Sequence, residues 1–211
     1  TVTYTPPLNY NEDVPPSTPD QFTYSVIDRP NQLGAFASGG STQNLVVDGT
    51  TAYVADGTAG LRVLDISNSV AISELGIFAT SGNVRSVALD GETAFVANGP
   101  EGMLVLDVSD PAAITELDST ITLGDTRHIA LNGTSAYLAD GAGGVRVLDI
   151  TNPASVVDTG AFGVVDARHV AADGTNIFVA AGAQGILVLD ASDPNLIVLR
   201  GSSAESDSDA N

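Results

Sequence analysis

The sequence predicts an all-β protein, a β-propeller built from four repeats of four strands each. One segment type, SVALDGETAFVANGPEGMLVLDVSDP in its clearest copy, recurs along the chain with a period of about 42 residues. Each copy alternates short β-branched runs with Asp-Gly or Asn-Gly pairs, which favour hairpin turns because both central residues take a positive φ. No apolar stripe of helical period interrupts the pattern. The repeats therefore predict a four-bladed propeller or an arc of a larger one.

The units, whose strands we call a to d in chain order, are predicted at residues 43–82, 83–125, 126–166 and 167–200. Residues 33–38 align without a gap on strand d of the first unit, so they predict an additional outer strand ahead of it. We expect this strand to pair with residues 185–190, strand c of the fourth unit, and to close a four-bladed ring. The alternative is an open arc that belongs to a larger ring.

Two sets of repeated residues are predicted to form turns. The glycines of the b–c loops should have positive φ, and the aspartates that end strand c, each followed by Ser or Thr two residues on, should belong to turns. The glycines are Gly57, Gly99, Gly141 and Gly182, and the aspartates are Asp65, Asp107, Asp149 and Asp190.

The composition limits the classes of partner and site. The chain has 211 residues, a formal net charge of −19 and no cysteine, and its seven basic residues are all arginine. Such a charge disfavours nucleic acid and anionic membranes as partners. The lack of cysteine excludes disulfides and thiolate chemistry. No apolar run is long enough to span a membrane, so we expect no membrane insertion.

The two ends of the chain differ from the repeats. Residues 1–31 contain TVTYTPPLNYN and QFTYSVID, two strand-like runs that resemble the end of a bacterial cadherin-like tandem domain. An insertion at residues 12–19 departs from that pattern. The resemblance implies calcium binding near strand ends, and Asp28 is the position that carries it over. Residues 201–211 are small and acidic and predict a flexible tail.

The repeat unit itself resembles the LVIVP repeat of large secreted or surface proteins of bacteria and archaea. The resemblance rests on the glycines, the aromatic and the VLD of each unit and on the Ser-Asp-Pro of the second and fourth units, and it covers residues 32–200. It implies a propeller within a longer, exported chain, at the cell surface or secreted. It implies no single activity, because propellers serve many functions.

The rare cations concentrate on one face of the predicted propeller. The d–a and b–c connections share this face, which we call the top. Strand a is preceded by Gln43, Arg85, Arg127 and Arg168, and in two units it starts with His128 and His169; the b–c loops begin with Asp56, Asn98 and Asp140. One hypothesis is ion pairing between blades, Asp56 with Arg85 and Asp140 with Arg168. The other is a ring of donors that binds an anionic group or sugar hydroxyls.

A metal held by the two histidines is a further hypothesis, which no local spacing supports. No catalytic triad or marked carboxylate pair is present. We therefore expect a non-catalytic binding or adhesion module that recognises a protein or glycan at the top face. The alternatives are a polysaccharide-active hydrolase or lyase at the channel mouth, and a structural spacer. Calcium, implied by the cadherin-like resemblance, is the only bound ion that we expect.

Overall fold

The computed structural model describes residues 34–203 and two short strands, β1 (Val2–Tyr4) and β2 (Phe22–Tyr24). The two strands pair antiparallel, with Thr3 opposite Thr23, within a compact unit of residues 1–33. Asp28 and residues 204–211 lie outside the described residues. The calcium prediction and most of the predicted tail therefore stay predictions.

Residues 34–203 form four antiparallel sheets of four strands, which we call blades 1 to 4. Blade 1 contains β3 (Asn44–Asp48), β4 (Thr51–Ala55), β5 (Leu61–Asp65) and β6 (Ser73–Phe78). Blade 2 contains β7 (Ser86–Asp90), β8 (Thr93–Ala97), β9 (Met103–Asp107) and β10 (Thr115–Thr120). Blade 3 contains β11 (His128–Asn132), β12 (Ser135–Ala139), β13 (Val145–Asp149) and β14 (Val157–Phe162). Blade 4 contains β15 (His169–Asp173), β16 (Asn176–Ala180), β17 (Ile186–Asp190) and β18 (Val198–Ser202).

This architecture confirms the predicted all-β, propeller-like fold. The strands of each blade follow one another in chain order, and the first strands of successive blades contact each other, so strand a is innermost. The described residues include two short 3-10 turns, Pro111–Ala113 and Gly182–Gln184. Strand β18 ends at Ser202, two residues past the predicted end of the repeats.

Both predicted sets of turn residues are confirmed. The φ angles of the b–c glycines are 63° at Gly57 and Gly99 and 57° at Gly141 and Gly182. Each aspartate at the end of strand c accepts a hydrogen bond from the backbone N–H two residues on; at Asp65, Ser67 N donates to Oδ1 across 2.8 Å. The first set lies in the b–c turns and the second in the connections that follow strand c.

The hydrophobic core lies between blades because each strand divides its side chains between two neighbours. In β8, Ala94 and Val96 pack toward blade 1, whereas Phe95 and Ala97 pack toward blade 3. A central strand that is buried on both faces needs apolar residues at successive positions. This explains why runs such as TAFVA lack a polar alternate.

The loops of the top face also join the blades. The backbone of Gly57 in blade 1 exchanges two hydrogen bonds with Val84, which precedes blade 2, at 3.0 and 2.9 Å. Gly99 and Thr126 form the same bridge between blades 2 and 3, as Gly141 and Ala167 do between blades 3 and 4. The b–c and d–a loops therefore share one face, as the sequence predicted.

The predicted closure of the ring is wrong. Strand β17 already has its own outer strand, β18, with Val188 opposite Gly201. Residues 34–38 form no strand, and Phe36 packs instead on blade 1 against Ala52, Val54 and Leu64. Within residues 34–203 the hydrophobic clusters join blades 1 to 2, 2 to 3 and 3 to 4, but none joins blade 4 to blade 1. The four blades form an open arc.

Candidate functional site

A polar cavity of 370 Å³ lies on the top face, at the inner strands. Its lining comes from the residues that precede or begin strand a in each blade: Gln43, Asn44, Arg85, Arg127, His128, Arg168 and His169. Propeller geometry explains this convergence, because equivalent positions of successive inner strands point to one axis. The structure thus brings together six of the nine residues predicted for the top face and adds Asn44.

The arginines of the cavity form a chain of ion pairs with two aspartates of the d–a loops. Asp125 Oδ2 lies 2.9 Å from Arg85 Nη2 and 3.5 Å from Arg127 Nε. Asp166 Oδ1 lies 2.5 Å from Arg127 Nη1, and its Oδ2 lies 2.7 Å from Arg168 Nε. Each aspartate therefore holds two guanidinium groups from neighbouring blades, and the two arginines lower the pKa of Asp166 through hydrogen bonds.

The predicted pairs of Asp56 with Arg85 and Asp140 with Arg168 are wrong. Both aspartates are fully buried beneath their own loops and do not line the cavity. The acids that do pair with the arginines, Asp125 and Asp166, were not predicted. Each stands two residues before an arginine, in Asp-Thr-Arg and Asp-Ala-Arg. That spacing was the available signal, because the alternate residues of an extended segment point to the same side.

Asp56 fixes the start of blade 1 instead of reaching the cavity. Its Oδ1 accepts from Ser38 Oγ at 2.7 Å and from Thr42 Oγ1 at 3.0 Å, and its Oδ2 accepts from Arg62 Nε at 2.8 Å. Burial alone would raise the pKa of Asp56, but the hydrogen bonds from Ser38, Arg62 and Thr42 outweigh it and the pKa lies below its ordinary value. Asn98, the equivalent residue of blade 2, is also buried.

The two histidines of the cavity stack on each other. Their ring centroids are 3.5 Å apart and the planes are inclined by 26°. Burial, and then repulsion from the neighbouring His169, lower the pKa of His128 to about 4, while a backbone hydrogen bond with Val170 opposes the shift. His128 is therefore neutral at pH 7. Stacked rings present their faces rather than their nitrogens to each other, so this pair is not arranged to chelate one metal ion.

Several buried polar atoms at this site have no hydrogen-bond partner among the described residues. They are Arg85 Nε, Asp125 Oδ1 and His128 Nδ1. Buried polar atoms nearly always find a partner, and an orphan at a cavity indicates a bound water or ligand. Within residues 34–203 the three guanidinium groups pair with two carboxylates, Asp125 and Asp166, which leaves one excess positive charge on a strongly acidic chain. The arrangement is chemically suited to a small anionic group.

Comparisons with known proteins agree with the repeat architecture. The profile described as LVIVD repeat matches residues 39–80, 81–122, 123–162 and 165–204. The expected resemblance to the LVIVP repeat is thereby corrected to the LVIVD repeat. The matches begin at residue 39, so the cadherin-like character of residues 1–31 stays a prediction. No curated protein sequence matches the chain.

Solved structures with a similar fold include two designed proteins and one natural complex. The designed Ika8 protein gives a TM-score of 0.61 at 12% identity, over 76% of this chain and 48% of that one. The designed Ika4 protein gives 0.58 at 13% identity, over 72% and 91% of the two chains. A structure of the nidogen/laminin complex gives 0.54 at 15% identity, over 72% and 60%. The chain thus spans about half the length of Ika8.

One further property concerns membranes. In the part of the chain that the structure describes, no helix has the length and apolar character needed to cross a bilayer.

Proposed function

Since this chain belongs to the LVIVD repeat family, we propose that its blades form a non-catalytic binding module of a larger extracellular or cell-surface protein. The module receives a carboxylate-bearing segment of a partner protein in the top-face cavity. The observation that carries the proposal is the row of three arginines, Arg85, Arg127 and Arg168, held by only two aspartates and accompanied by unpartnered buried atoms.

A carboxylate fits this row because guanidinium groups present paired donors in the geometry of its two oxygens. Asp125 and Asp166 hold the arginines in place before any ligand arrives, which reduces the entropy lost on binding. Arg168 has the most available donors, since its side chain is 63% exposed and Asp166 engages its Nε. Arg168 is therefore the expected first contact of the ligand.

A protein partner is favoured over a glycan by the loops around the cavity. The d–a loops that carry Asp125 and Asp166 also carry Leu123 and Val165, whose exposures are 87% and 76%. Exposed aliphatic side chains beside arginines are typical of protein interfaces. The cavity lining contains no Phe, Tyr or Trp on which a sugar ring could stack. The net charge of −19 also repels long acidic polysaccharides.

One structure of similar fold comes from a complex between two proteins, nidogen and laminin. A propeller-like fold is thus compatible with protein recognition, although fold alone assigns no partner.

The test is a screen of short peptides with a free C-terminal carboxylate or an acidic side chain, each paired with its amidated or amide-substituted form. Titration calorimetry on the hits should show that loss of the carboxylate weakens binding by at least about tenfold. Arg168→Gln should weaken binding to a similar extent. Arg200→Ala is the matched control, because Arg200 pairs with Asp190 and Asn176 outside the cavity.

Three outcomes would contradict the proposal. Equal binding of carboxylate and amide forms would remove the role of the arginines. Selective binding of glycans in a parallel array, or turnover of those glycans, would favour the lectin-like or the hydrolase alternative. Absence of any ligand in both screens would favour a spacer, in which the ion pairs only hold the blades together.

A further inference from the structure

The face of blade 4 that points away from blade 3 has the residues of a blade interface, but within residues 34–203 no other blade packs on it. Phe178 is 39% exposed, whereas Phe95, at the equivalent position of blade 2, is 1% exposed. Ala180 and Ile186 on the same face are exposed, although their equivalents in blades 1 to 3 are fully buried. Gly201, which has the position of Gly76 and Gly160, also indicates an uncovered face. A Cβ added at Gly201 meets no described atom within 4 Å, whereas one at Gly76 or Gly160 would meet the loop of the next blade.

The opposite end of the arc carries the complementary face. Leu45 on blade 1 is 54% exposed, whereas Val87, its equivalent on blade 2, is 3% exposed. Val47 is exposed as well. These positions are the ones that blades 2 to 4 turn toward the blade before them. The two ends therefore correspond to the two halves of one repeated interface.

The backbone is complementary in the same sense. Gly182 has the position and the positive φ of Gly57, Gly99 and Gly141, which each bridge to the following blade. Thr42 has the position of Val84, Thr126 and Ala167, which receive those bridges. In residues 34–203 no such bridge involves Gly182 or Thr42. The backbone N–H and C=O groups of Gly182 at one end and of Thr42 at the other could therefore form the same bridge between two copies.

We propose that two copies of this chain associate head to tail, with blade 4 of each copy against blade 1 of the other. The contact continues the interface that already joins the blades within one chain, so its shape and polarity are set by the repeat. Using both ends in both copies closes the assembly and leaves no free end. The arc matches 48% of the Ika8 chain, so a fold of this kind has room for a second arc of equal size.

Residues 34–38 determine how the faces meet. Gly34 lies against the Ser69 carbonyl as Gly76 lies against that of Pro111, so this segment occupies the place of an outer strand from a preceding blade. In the proposed dimer, β18 of the other copy would occupy the same place. Phe36 supplies the aromatic side chain that Phe78 and Phe162 supply in blades 1 and 3, whereas in blade 4 the equivalent residue, which follows β18, is Ser203. Residues 34–38 therefore replace β18 as the partner of β17 in the other copy, and the aligned backbone lets the new strand form equivalent ladder hydrogen bonds.

The first test is the oligomeric state of the whole chain by sedimentation velocity across a dilution series. A dimer is expected, and it should become more stable at higher salt because two copies of net charge −19 repel each other. Ile186→Glu should raise the dissociation constant by at least about tenfold. Ile121→Glu is the control, since Ile121 is exposed in a top loop between blades 2 and 3, away from both ends. A monomer at every concentration and salt would overturn the proposal.

The second test fixes the orientation, and it is clean because the chain has no cysteine of its own. Ala55 and Val87, Ala97 and Ile129, and Ala139 and Val170 each share one core between blades. The fourth such pair is Ala180 of one copy and Leu45 of the other. A mixture of Ala180→Cys and Leu45→Cys chains should form a mixed disulfide dimer, whereas Leu45→Cys alone should not. A dimer of Leu45→Cys with itself would show face-to-face contact and overturn the head-to-tail arrangement.

Hydrogen exchange tests the strand replacement. The amides of residues 35–37 should gain protection at concentrations where the dimer forms, and those of residues 199–202 should lose it. Unchanged protection in both segments would exclude the replacement.

Discussion

Thr122 donates a hydrogen bond to Asp140 across 2.6 Å, from the loop that leads into blade 3 to the b–c loop of the same blade. Thr126 donates to the same oxygen at 2.7 Å, and Gly124 N donates to the other oxygen at 2.9 Å. The pair of hydroxyls therefore satisfies a carboxylate that is fully buried.

Across the four blades, the b–c residue and the two loop residues opposite it change together. Blade 1 repeats it with Asp56 and two hydroxyls. In blade 2 the b–c residue is Asn98 and one of the two loop positions has a hydroxyl. In blade 4 the b–c residue is Ala181 and both loop positions are apolar. The loop pairs, in order of blade, are Ser38 with Thr42, Thr80 with Val84, Thr122 with Thr126, and Val164 with Ala167. The polarity of the b–c residue thus follows the number of hydroxyls opposite it, although in blade 2 the described residues offer no hydrogen-bond partner to Asn98 Oδ1 or to Thr80 Oγ1.

Asp140→Ala should lower the free energy of unfolding by about 2–4 kcal/mol, because it leaves the Gly124 N–H and one buried hydroxyl without an acceptor. The hydroxyls of Thr122 and Thr126 lie 2.9 Å apart, so one of them can still donate to the other. Denaturant unfolding measures the loss. Adding Thr122→Val and Thr126→Ala reproduces the apolar arrangement of blade 4 and should recover part of it. If the triple variant is no more stable than Asp140→Ala alone, the hydroxyls are not the source of the cost.

Gly141→Val should cost at least about 1 kcal/mol, because a β-branched residue tolerates positive φ poorly. The φ of Gly141 is 57°, and an added Cβ would also approach the Asp125 carbonyl at 3.2 Å. Gly163→Ala is the control, since φ there is not positive and an added Cβ meets no atom. Equal melting temperatures for the two variants would contradict the turn assignment.

Phe95→Ala and Phe178→Ala compare one repeat position in two settings. The first removes a ring that is buried between blades 2 and 3, and the loss should be about 3–5 kcal/mol. The second removes a partly exposed ring at the end of the arc, and it should cost less than about 1.5 kcal/mol in dilute monomer. Similar costs for both changes would show that blade 4 is covered in solution.

Stability should rise with pH between about 4 and 6.5 because of His128. The unfolded chain binds a proton to this histidine below about 6.5, whereas the folded chain does so only near pH 4. Between these values the unfolded state holds more protons, so the free energy of unfolding falls as the pH falls. His128→Gln should flatten this part of the curve. His169→Gln should flatten it less, because burial is the larger cause of the shift.

The sequence predicted the blades well because repetition supplies four readings of each position. Gly57 and its equivalents, and Asp65 and its equivalents, are local turn residues whose conformations depend on neighbours within a few positions. Ring closure was not predictable in this way. Residues 33–38 have the sequence of an outer strand, but whether β17 accepts them depends on the competing residues 198–202, whose affinity the local pattern does not encode.

The cavity was predictable as a location but not as a network. Arg85, Arg127 and Arg168 occupy one repeat position near the axis, so their convergence followed from topology. Their partners depended on which acids are buried. Asp56 and Asp140 do not reach the cavity because each is bound by two hydroxyls that lie four residues apart in another loop. Predicting this requires knowing how the two loops pair in three dimensions.

The matched hydroxyls and b–c residues also define what can be exchanged between copies of the repeat. The side-chain coupling joins a d–a loop to the blade that follows it, whereas successive blades are bridged at Gly57, Gly99 and Gly141 through backbone atoms rather than side chains. A duplication or recombination with its breakpoint between strands c and d keeps each acid with its hydroxyls. One with its breakpoint in the d–a loop separates them and buries an unpaired charge. The heritable module of this propeller is therefore d–a–b–c, offset by one strand from the blade seen in space.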